Sequence, residues 1–401
     1  MAANGGAPGD AKTALLPRRV EWTRKRSAPA EAAPCAISLL QFNVLADGLS
    51  GRSPTLGDFT RPPAAVMDWA YRGPLLVEEM LRHEADVITA QEVDHFSDYF
   101  VPRLARAGYA GMFHKKPDSP CRSVCELEDG CALWYKRSNF LRFPPFSPVS
   151  AGYRARSSCL SAIFTPDSCR SRLELVGYVA FQYVDRTKKD PVVLNQGAQI
   201  ALLRVLATGQ LLLVANTHLK ASKNAAGEAV RAIQAQQLLD AVAEQKAQAE
   251  AAHSVAAIPF LVAGDFNATP TEDEGGDACF RACVDHSLGV QSAYPTTLEQ
   301  PALYTTWKIR SKGARGVPPQ ASTSPGSSPP PAQESDKCNY IDYIWYGGGL
   351  GPPAGRLAIP DGDAIGTDRL PSAAWPSDHL SLLAVFDLEA KDSPEAARHK
   401  V

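Results

Sequence analysis

The sequence contains no uninterrupted run of eighteen apolar residues, which is the pattern of a membrane-spanning helix. An apolar signal core does not follow the first Met either, and this favours an intracellular, cytoplasmic protein. Residues 1–34 are rich in Ala, Pro and Arg and contain few acidic residues. We interpret them as a disordered N-terminal tail, with an organelle-import segment as the alternative.

The chain also lacks a large excess of charge and a metal-binding cysteine motif. Its 41 basic and 43 acidic residues give a net charge of −2. This excludes the strongly basic surface of non-specific nucleic-acid binders, so a phosphate-bearing substrate would need a local basic site. The nine cysteines are scattered and none has Cys-x-x-Cys spacing, which favours free thiols over a zinc site.

What the sequence does have is enough apolar material, 45% of residues, for a large core, with strands and helices interspersed. Helices are predicted over 73–84, 95–107 and 226–250. Strands are predicted over 37–43, 86–92, 131–136, 174–184, 196–206, 211–217, 258–265, 303–309, 340–346 and 380–387. Hairpins beside crossovers favour an α/β (α+β) fold of packed sheets with outer helices.

We expect a single domain over 36–388, followed by a C-terminal tail over 389–401. Residues 311–337 contain six prolines with many Ser and Gly, and are predicted to be a disordered insert. Residues 150–173 resemble a second insertion.

The most informative segment for chemistry is IPFLVAGDFN, residues 258–267, an apolar run that ends in two polar side chains. Because side chains alternate along a strand, Asp265 and Asn267 are predicted to face the same side. Such strand ends commonly hold catalytic groups. An isolated Asp-x-Asn more often caps a turn, however, so the other strand ends must decide.

Those ends also offer polar residues: Asn43, Glu92, His218, Asp342 and the pair Asp378 and His379. Asp342 lies between apolar residues, where an unpaired carboxylate would be costly to bury. A histidine is its natural partner, because an aspartate fixes the imidazole tautomer and stabilises the charged ring. We therefore predict a hydrogen bond between Asp342 and His379.

Together these side chains fit hydrolysis of a phosphoester by water. Glu92 has the character of a Mg²⁺ ligand, since this ion prefers one or two carboxylates and takes its other ligands from water and phosphate. Asp265 would orient or deprotonate the attacking water. Asn43 and Asn267 would donate hydrogen bonds to phosphate oxygens, and the two histidines would stabilise the developing charge.

Six segments carry a family resemblance: LLQFNVLADGL, ITAQEVDHF, ANTHLKA, VAGDFNATP, YIDYIWY and WPSDHLSL, in this order. The chain resembles the endonuclease/exonuclease/phosphatase superfamily, within it the nocturnin and carbon-catabolite-repressor deadenylase group. The resemblance implies a four-layer αββα sandwich with Mg²⁺ or Mn²⁺ at the strand ends. By position, Glu92 resembles the family's metal ligand, Asp265 and Asn267 its catalytic pair, and Asp342 with Asp378 and His379 its closing group. We also expect Asp378 to bind the metal.

The resemblance implies two alternative substrates. Nocturnin-like enzymes remove the 2′-phosphate from NADP and NADPH, whereas the deadenylases are 3′–5′ exoribonucleases that shorten poly(A) and release AMP. Lys116 and Lys220 match nocturnin lysines that face substrate phosphates, and Arg231 with Gln234 follows along one helical face. These four residues favour the 2′-phosphatase.

Two positions depart from the nocturnin pattern. Asp118 stands where nocturnin has a tryptophan, and it places a negative charge near the expected mouth of the site. Ser222 stands where nocturnin has an arginine, and a serine cannot make a bidentate phosphate contact. Lys223, beside it, is expected to compensate as a point charge or, failing that, dinucleotide preference is weakened. We expect neither a membrane nor an obligate protein partner. A catalytically inactive binding module and a DNA-repair nuclease are less favoured alternatives.

Overall fold

The computed structural model describes residues 15–23, 36–51, 59–137, 172–272, 275–295, 304–311 and 334–388. These residues build two mixed β-sheets, and helices lie against the sheets. The predicted αββα architecture is confirmed. No helix in these ranges is both long and apolar enough to cross a membrane.

The first sheet has seven strands, with the parallel pair β2 and β3 among antiparallel neighbours. In spatial order these are β1 (Val20–Trp22), β14 (Gly355–Leu357), β15 (Leu382–Asp387), β2 (Ala36–Asn43), β3 (Val87–Gln91), β5 (Gly130–Lys136) and β4 (Tyr109–Lys115).

The second sheet has six strands and one parallel pair, β8 and β9. In spatial order these are β10 (Gln291–Ser292), β13 (Asp342–Gly347), β9 (Phe260–Asp265), β8 (Leu211–His218), β7 (Val192–Val205) and β6 (Leu173–Asp185). A separate hairpin pairs β11 (Thr306–Ser311) with β12 (Glu334–Asn339). The register sets Asp265 beside Asp342 on one neighbour and His218 on the other.

The outer layers are helical. The helices are α1 (Ala64–Met67), α2 (Trp69–Arg82), α3 (Val101–Arg106), α4 (Arg122–Cys125), α5 (Ala225–His253), α6 (Ala278–Val284) and α7 (Gly362–Ile365). Leucines of α2 and α3 pack on the first sheet, whereas α5 packs its apolar face on the second. Helix α5 is capped by Asn224, whose side chain accepts a hydrogen bond from the Gly227 N–H at 2.8 Å.

The alternation of side chains along β2 determines what fills each layer. Leu40 and Phe42 pack with the residues of α2, while Leu39 belongs to the apolar cluster that includes the second sheet. Gln41 has the same parity as Leu39 and is fully buried. A polar side chain therefore lies between the two sheets.

Gln41 is part of a layer of buried amides that links the sheets. The Gln91 Nε2 donates to Gln41 Oε1 at 2.8 Å and to Asn216 Oδ1 at 2.7 Å. Asn216 donates back across the interface to the Ala132 carbonyl at 2.8 Å. Gln41 Nε2 also lies 3.4 Å from Asp342 Oδ1, so the layer reaches one of the predicted site residues.

The structure corrects the predicted N-terminal boundary. Residues 15–23 are not a tail, because Leu15 and Leu16 are buried and β1 pairs with β14 in the first sheet. The arginines that suggested a disordered segment include Arg18, whose side chain is buried rather than solvated. The folded domain therefore includes residues ahead of position 36.

The predicted insert over 311–337 is also too long at both ends. Ser311 ends β11, and Glu334 begins β12, with which it pairs. Residues 312–333 lie outside the described residues, as do 150–171 of the second insertion and the C-terminal tail over 389–401. The described cysteines are free thiols, as predicted.

Candidate active site

Asp265 is the last residue of β9 and has its two carboxylate oxygens in different roles. Oδ1 accepts a hydrogen bond from the Asn267 N–H at 2.9 Å, which closes an Asx turn. Asn267 has a left-handed backbone, with φ of 52°, so strand alternation does not extend to it. Asp265 can therefore both close this turn and serve in an active site, because its Oδ2 is left for other partners.

Asp265 Oδ2 faces Asn43, at the end of β2. The Asn43 Nδ2 donates to this oxygen at 3.0 Å and lies 3.2 Å from Glu92 Oε1. The Asn43 side chain is itself fixed, since its Oδ1 accepts from the Leu45 N–H at 3.0 Å. One amide thus joins the carboxylates of both sheets.

The predicted contact between Asp342 and His379 is present. His379 Nδ1 lies 2.8 Å from Asp342 Oδ2, with both side chains buried. Burial opposes a charge on His379, but the carboxylates of Asp342, Asp378 and Asp265 outweigh it and raise its pKa to about 9. The ring is therefore an imidazolium at neutral pH.

Two imidazoles approach the same oxygen of Asp265. His218 Nε2 lies 3.6 Å and His379 Nε2 lies 3.8 Å from Asp265 Oδ2. Burial would raise the pKa of Asp265, but these rings, Lys223 and the Asn43 hydrogen bond lower it instead. Asp265 is accordingly ionised in a site that excludes bulk water.

Asp378, predicted to bind a metal, has other partners. Its Oδ2 pairs with Lys308 and lies 3.2 Å from Arg310 Nη2, both on β11. Burial would raise the pKa of Asp378, but the neighbouring cations lower it well below its usual range. Both cations contact the same oxygen, Oδ2, so the role of Asp378 as a metal ligand stays a prediction.

Lys116 lies on the other side of the site, paired with an acidic residue that the sequence did not single out. Its Nζ is 2.7 Å from Asp129 Oδ2, and its N–H donates to the Asp129 carbonyl at 2.9 Å. Burial opposes the charge on Lys116, yet Asp129 and Glu92 raise its pKa. Its ammonium is therefore held in place near Glu92.

Arg231 and Gln234, expected to contact substrate, lie beneath the loop 219–223. Arg231 is buried, pairs with Glu228 and donates from Nη1 to the carbonyl of Lys220 at 2.9 Å. Gln234 is buried and accepts from the Lys220 N–H at 3.0 Å. These contacts fix the loop backbone, so the structure places both residues in its support and not at its surface.

The two lysines of this loop differ in their surroundings. The Lys220 ammonium has no partner among the described residues and is half-buried. The Lys223 Nζ donates to the Asn267 carbonyl at 2.8 Å. Lys223 is therefore directed at the catalytic turn.

This set of side chains matches a known family. A family model described as Endonuclease/Exonuclease/phosphatase family covers residues 40–379. The chain belongs to the endonuclease/exonuclease/phosphatase family. It is accordingly a hydrolase that acts on phosphoester bonds.

Relatives within the family include nocturnins and subunits named as 3′-5′-exoribonucleases. Nocturnin of Xenopus laevis is 32% identical over 368 residues, which is 90% of this chain and 75% of that protein. The CCR4-Not complex 3′-5′-exoribonuclease subunit Ccr4 of Yarrowia lipolytica is 26% identical over 88% of this chain and 48% of its own length. The human nocturnin catalytic domain, solved with a bound sulfate anion, superposes with a TM-score of 0.58 at 26% identity, over 92% of this chain and 96% of that one.

Endonuclease/exonuclease/phosphatase enzymes depend on divalent metal ions, and the donor set here fits one. Glu92 is a half-buried carboxylate in a left-handed backbone conformation, with φ of 56°. Among the described residues no lysine or arginine lies within 4.0 Å of it. A carboxylate held at a strand end, with the Lys116 ammonium nearby but paired to Asp129, suits a hard cation. Asp265, Asp342 and His379 form a neighbouring cluster, with ligand-type atoms within 4.8 Å of one another.

Several residues in and around the candidate site were not predicted from the sequence. They are Asp129, Lys308, Arg310 and the amide layer of Gln41, Gln91 and Asn216. Lys308 and Arg310 are two positions apart on β11 and therefore lie on the same face of the strand. Two basic side chains on one face predict an acidic partner nearby. Asp129 and the amides carry no such signal, because their partners are distant in sequence.

Proposed function

We propose that this chain is a divalent-metal-dependent phosphatase that removes the 2′-phosphate of NADP and NADPH. Water attacks the phosphorus, the bond to the ribose 2′-oxygen breaks, and NAD or NADH leaves with inorganic phosphate. The proposal extends the family's phosphoester hydrolysis to a particular small substrate.

The observation that supports a small substrate is the internal pairing of the cations around the site. Lys116 is paired with Asp129, and both Lys308 and Arg310 are paired with Asp378. A long polyanion requires a track of cations that are free to meet successive phosphates. Here Lys308 and Arg310 share the single carboxylate of Asp378, so one positive charge is left over. A local positive charge of this kind suits one terminal phosphate.

Each proposed role follows from a contact. Glu92 would hold the metal, which when bound polarises a phosphoryl oxygen. Asp265 Oδ2 would orient the attacking water, since Asn43 and the two imidazoles keep this carboxylate ionised and fixed. His379, as an imidazolium, would stabilise negative charge on the phosphate as the ester bond breaks.

The second candidate is a 3′–5′ exoribonuclease that releases AMP from poly(A). Its support is the sequence similarity to Ccr4 of Yarrowia lipolytica, whose name states that activity. Both candidates place a phosphate beside an adenosine, and both use the same metal and water.

One assay separates the two candidates. Purified full-length protein is incubated with Mg²⁺ and either NADPH or oligo(A), and inorganic phosphate and AMP are quantified. We expect phosphate from NADPH at a rate far above AMP release. AMP from oligo(A) with no phosphate from NADPH would establish the exoribonuclease instead.

A matched pair of variants tests the site. Asp265→Asn keeps the size of the side chain and removes its charge, and should lower kcat by about 100-fold or more. Asp285→Asn makes the same change at an exposed position and should be neutral. Equal rates in the two variants would show that Asp265 is not catalytic.

A further inference from the structure

Residues 15–23, which we call the N-terminal strap, lie across the segment that delivers His379. The Leu16 N–H donates to the Ala374 carbonyl at 3.0 Å. The strap then continues as β1, and the Ala358 N–H donates to the Arg19 carbonyl at 2.9 Å. The N-terminal strap thus contacts the loop before β15, although the two segments are more than three hundred residues apart in sequence.

Arg18 is the central side chain of the strap and is only 1% exposed. Its Nη1 donates to the Ser381 carbonyl at 2.7 Å and to the Ser381 hydroxyl at 2.8 Å. Its Nε and Nη2 both donate to the Ala358 carbonyl, at 3.1 and 3.0 Å. The planar guanidinium therefore fixes the backbone two residues after His379.

The charge of Arg18 is balanced by Glu79 of α2, which is fully buried. Arg18 Nη1 lies 4.0 Å from Glu79 Oε1, and Arg82 Nη2 lies 2.5 Å from Glu79 Oε2. Arg82 also donates to the Leu16 carbonyl at 3.0 Å, so helix and strap are joined at two points. Loss of Arg18 would leave part of a buried charge network without its partner.

The contacts continue from Arg18 to His379 through an indole. The Arg18 guanidinium lies over the Trp375 ring, 5.5 Å from its centroid. The Trp375 Nε1 donates to the His379 carbonyl at 2.7 Å. On the other side, the His379 N–H donates to the Ser377 hydroxyl at 3.1 Å. The backbone of His379 is thus held at both its N–H and its carbonyl.

We propose that the N-terminal strap is a positioning element of the active site, and that Arg18 acts through Trp375 and Ser381 to hold His379 against Asp342 and Asp265. Arg18 touches no reacting atom and is a positioning residue. The inference rests on the proposed catalytic role of His379. It means that the catalytic unit includes a segment that lies ahead of the matched family region.

The test compares full-length variants on whichever phosphoester substrate is turned over. Arg18→Ala should lower kcat about tenfold while KM changes less than twofold, because substrate contacts are untouched. Arg19→Ala is the matched control, since this neighbouring arginine is 85% exposed, and it should behave as wild type. Arg18→Lys keeps the charge but not the fork of donors, and should give an intermediate kcat.

Stability is measured alongside by thermal unfolding, and rates are taken well below each midpoint. If Arg18→Ala does not fold, Arg18→Lys and Ser381→Ala serve as the graded variants, and each should lower kcat with KM nearly constant. His379→Asn provides the reference for complete loss. A kcat of the Arg18 variants equal to that of Arg19→Ala, with His379→Asn inactive, would overturn the strap proposal alone. Full activity of His379→Asn would instead overturn the proposed role of His379.

Discussion

Replacing Asp342 by asparagine isolates the electrostatic contribution of the carboxylate that holds His379. The change keeps the shape of a side chain that is 1% exposed and leaves an oxygen near His379 Nδ1, 2.8 Å away in the native protein. It removes the largest of the charges that favour the imidazolium. We therefore expect His379 to remain in place and to lose its charge more readily.

The magnitude follows from the pKa of His379. A rise from 6.5 to about 9 corresponds to about 3 kcal/mol of net preference for the charged ring. Three carboxylates share this effect against the cost of burial, and only Asp342 is within hydrogen-bond distance of the ring. Assigning it about 2 kcal/mol moves the protonation midpoint of His379 about 1.5 pH units lower, which predicts a fall in kcat of about fourfold at pH 8.

The assay is steady-state turnover of the phosphoester substrate between pH 6 and 9. In the native protein the imidazolium persists below pH 9, so its contribution is lost only as pH rises through that value. In Asp342→Asn the loss should begin at lower pH, and the two rates should converge toward pH 6. KM should change little, because Asp342 is behind His379 and away from substrate.

A matched control is available elsewhere in the fold. Asp240, on α5, and His286, in the turn after α6, form a second carboxylate–imidazole pair, with Oδ1 and Nε2 3.1 Å apart. Asp240→Asn should leave the pH profile unchanged. A ratio of native to Asp342→Asn rates that is the same at pH 6 and pH 8 would refute the charge-based role.

Three further outcomes are expected. Lys223→Met should lower kcat about fivefold by releasing the catalytic turn, whereas Lys220→Met should mainly raise KM. Burial and two nearby arginines lower the pKa of His83 to about 4, so the native protein should lose about 1–2 kcal/mol of stability as pH falls from 6.5 to 4, and His83→Asn should lose less in urea unfolding. Gly264→Ala would put a Cβ 2.2 Å from a backbone carbonyl and should cost about 3 kcal/mol, whereas Gly351→Ala has open space and should be neutral.

Each of these outcomes has a clear opposite. A raised KM in Lys223→Met would return that lysine to a substrate-binding role. If the native protein and His83→Asn lost the same stability between pH 6.5 and 4, protonation of His83 would not destabilise the folded state. Equal stability of the two glycine variants would show that the strand end at Asp265 tolerates a wider separation from its neighbour.

The parts of the site that could be predicted from sequence are those at strand ends. Four residues each follow or end an apolar run, and the ends of neighbouring strands lie close together. They are Asn43, Glu92, His218 and Asp265. The partner of Asp342 was predictable too, because a buried carboxylate requires one. Local pattern and elementary electrostatics were sufficient at these positions.

Other features depend on tertiary contacts that a linear pattern does not contain. Asn267 was placed by strand alternation, but the side chain of Asp265 closes a turn before it and changes the backbone direction. Asp378 has the residue type of a metal ligand, and only folding brings Lys308 and Arg310 to it. The N-terminal strap has the composition of a tail, and only folding brings its Arg18 to Glu79.

The amide layer between the sheets has a consequence for how this domain tolerates change. Apolar faces alone would allow two sheets to slide past each other by small steps, because dispersion contacts have little directionality. Hydrogen bonds from Gln91 to Gln41 and Asn216 are directional, and they fix the position of one sheet relative to the other. Asp342 lies at the end of this amide layer. The spacing between the catalytic groups of the two sheets is thus set inside the molecule. Surface connections can change in length and composition during evolution while that spacing stays the same.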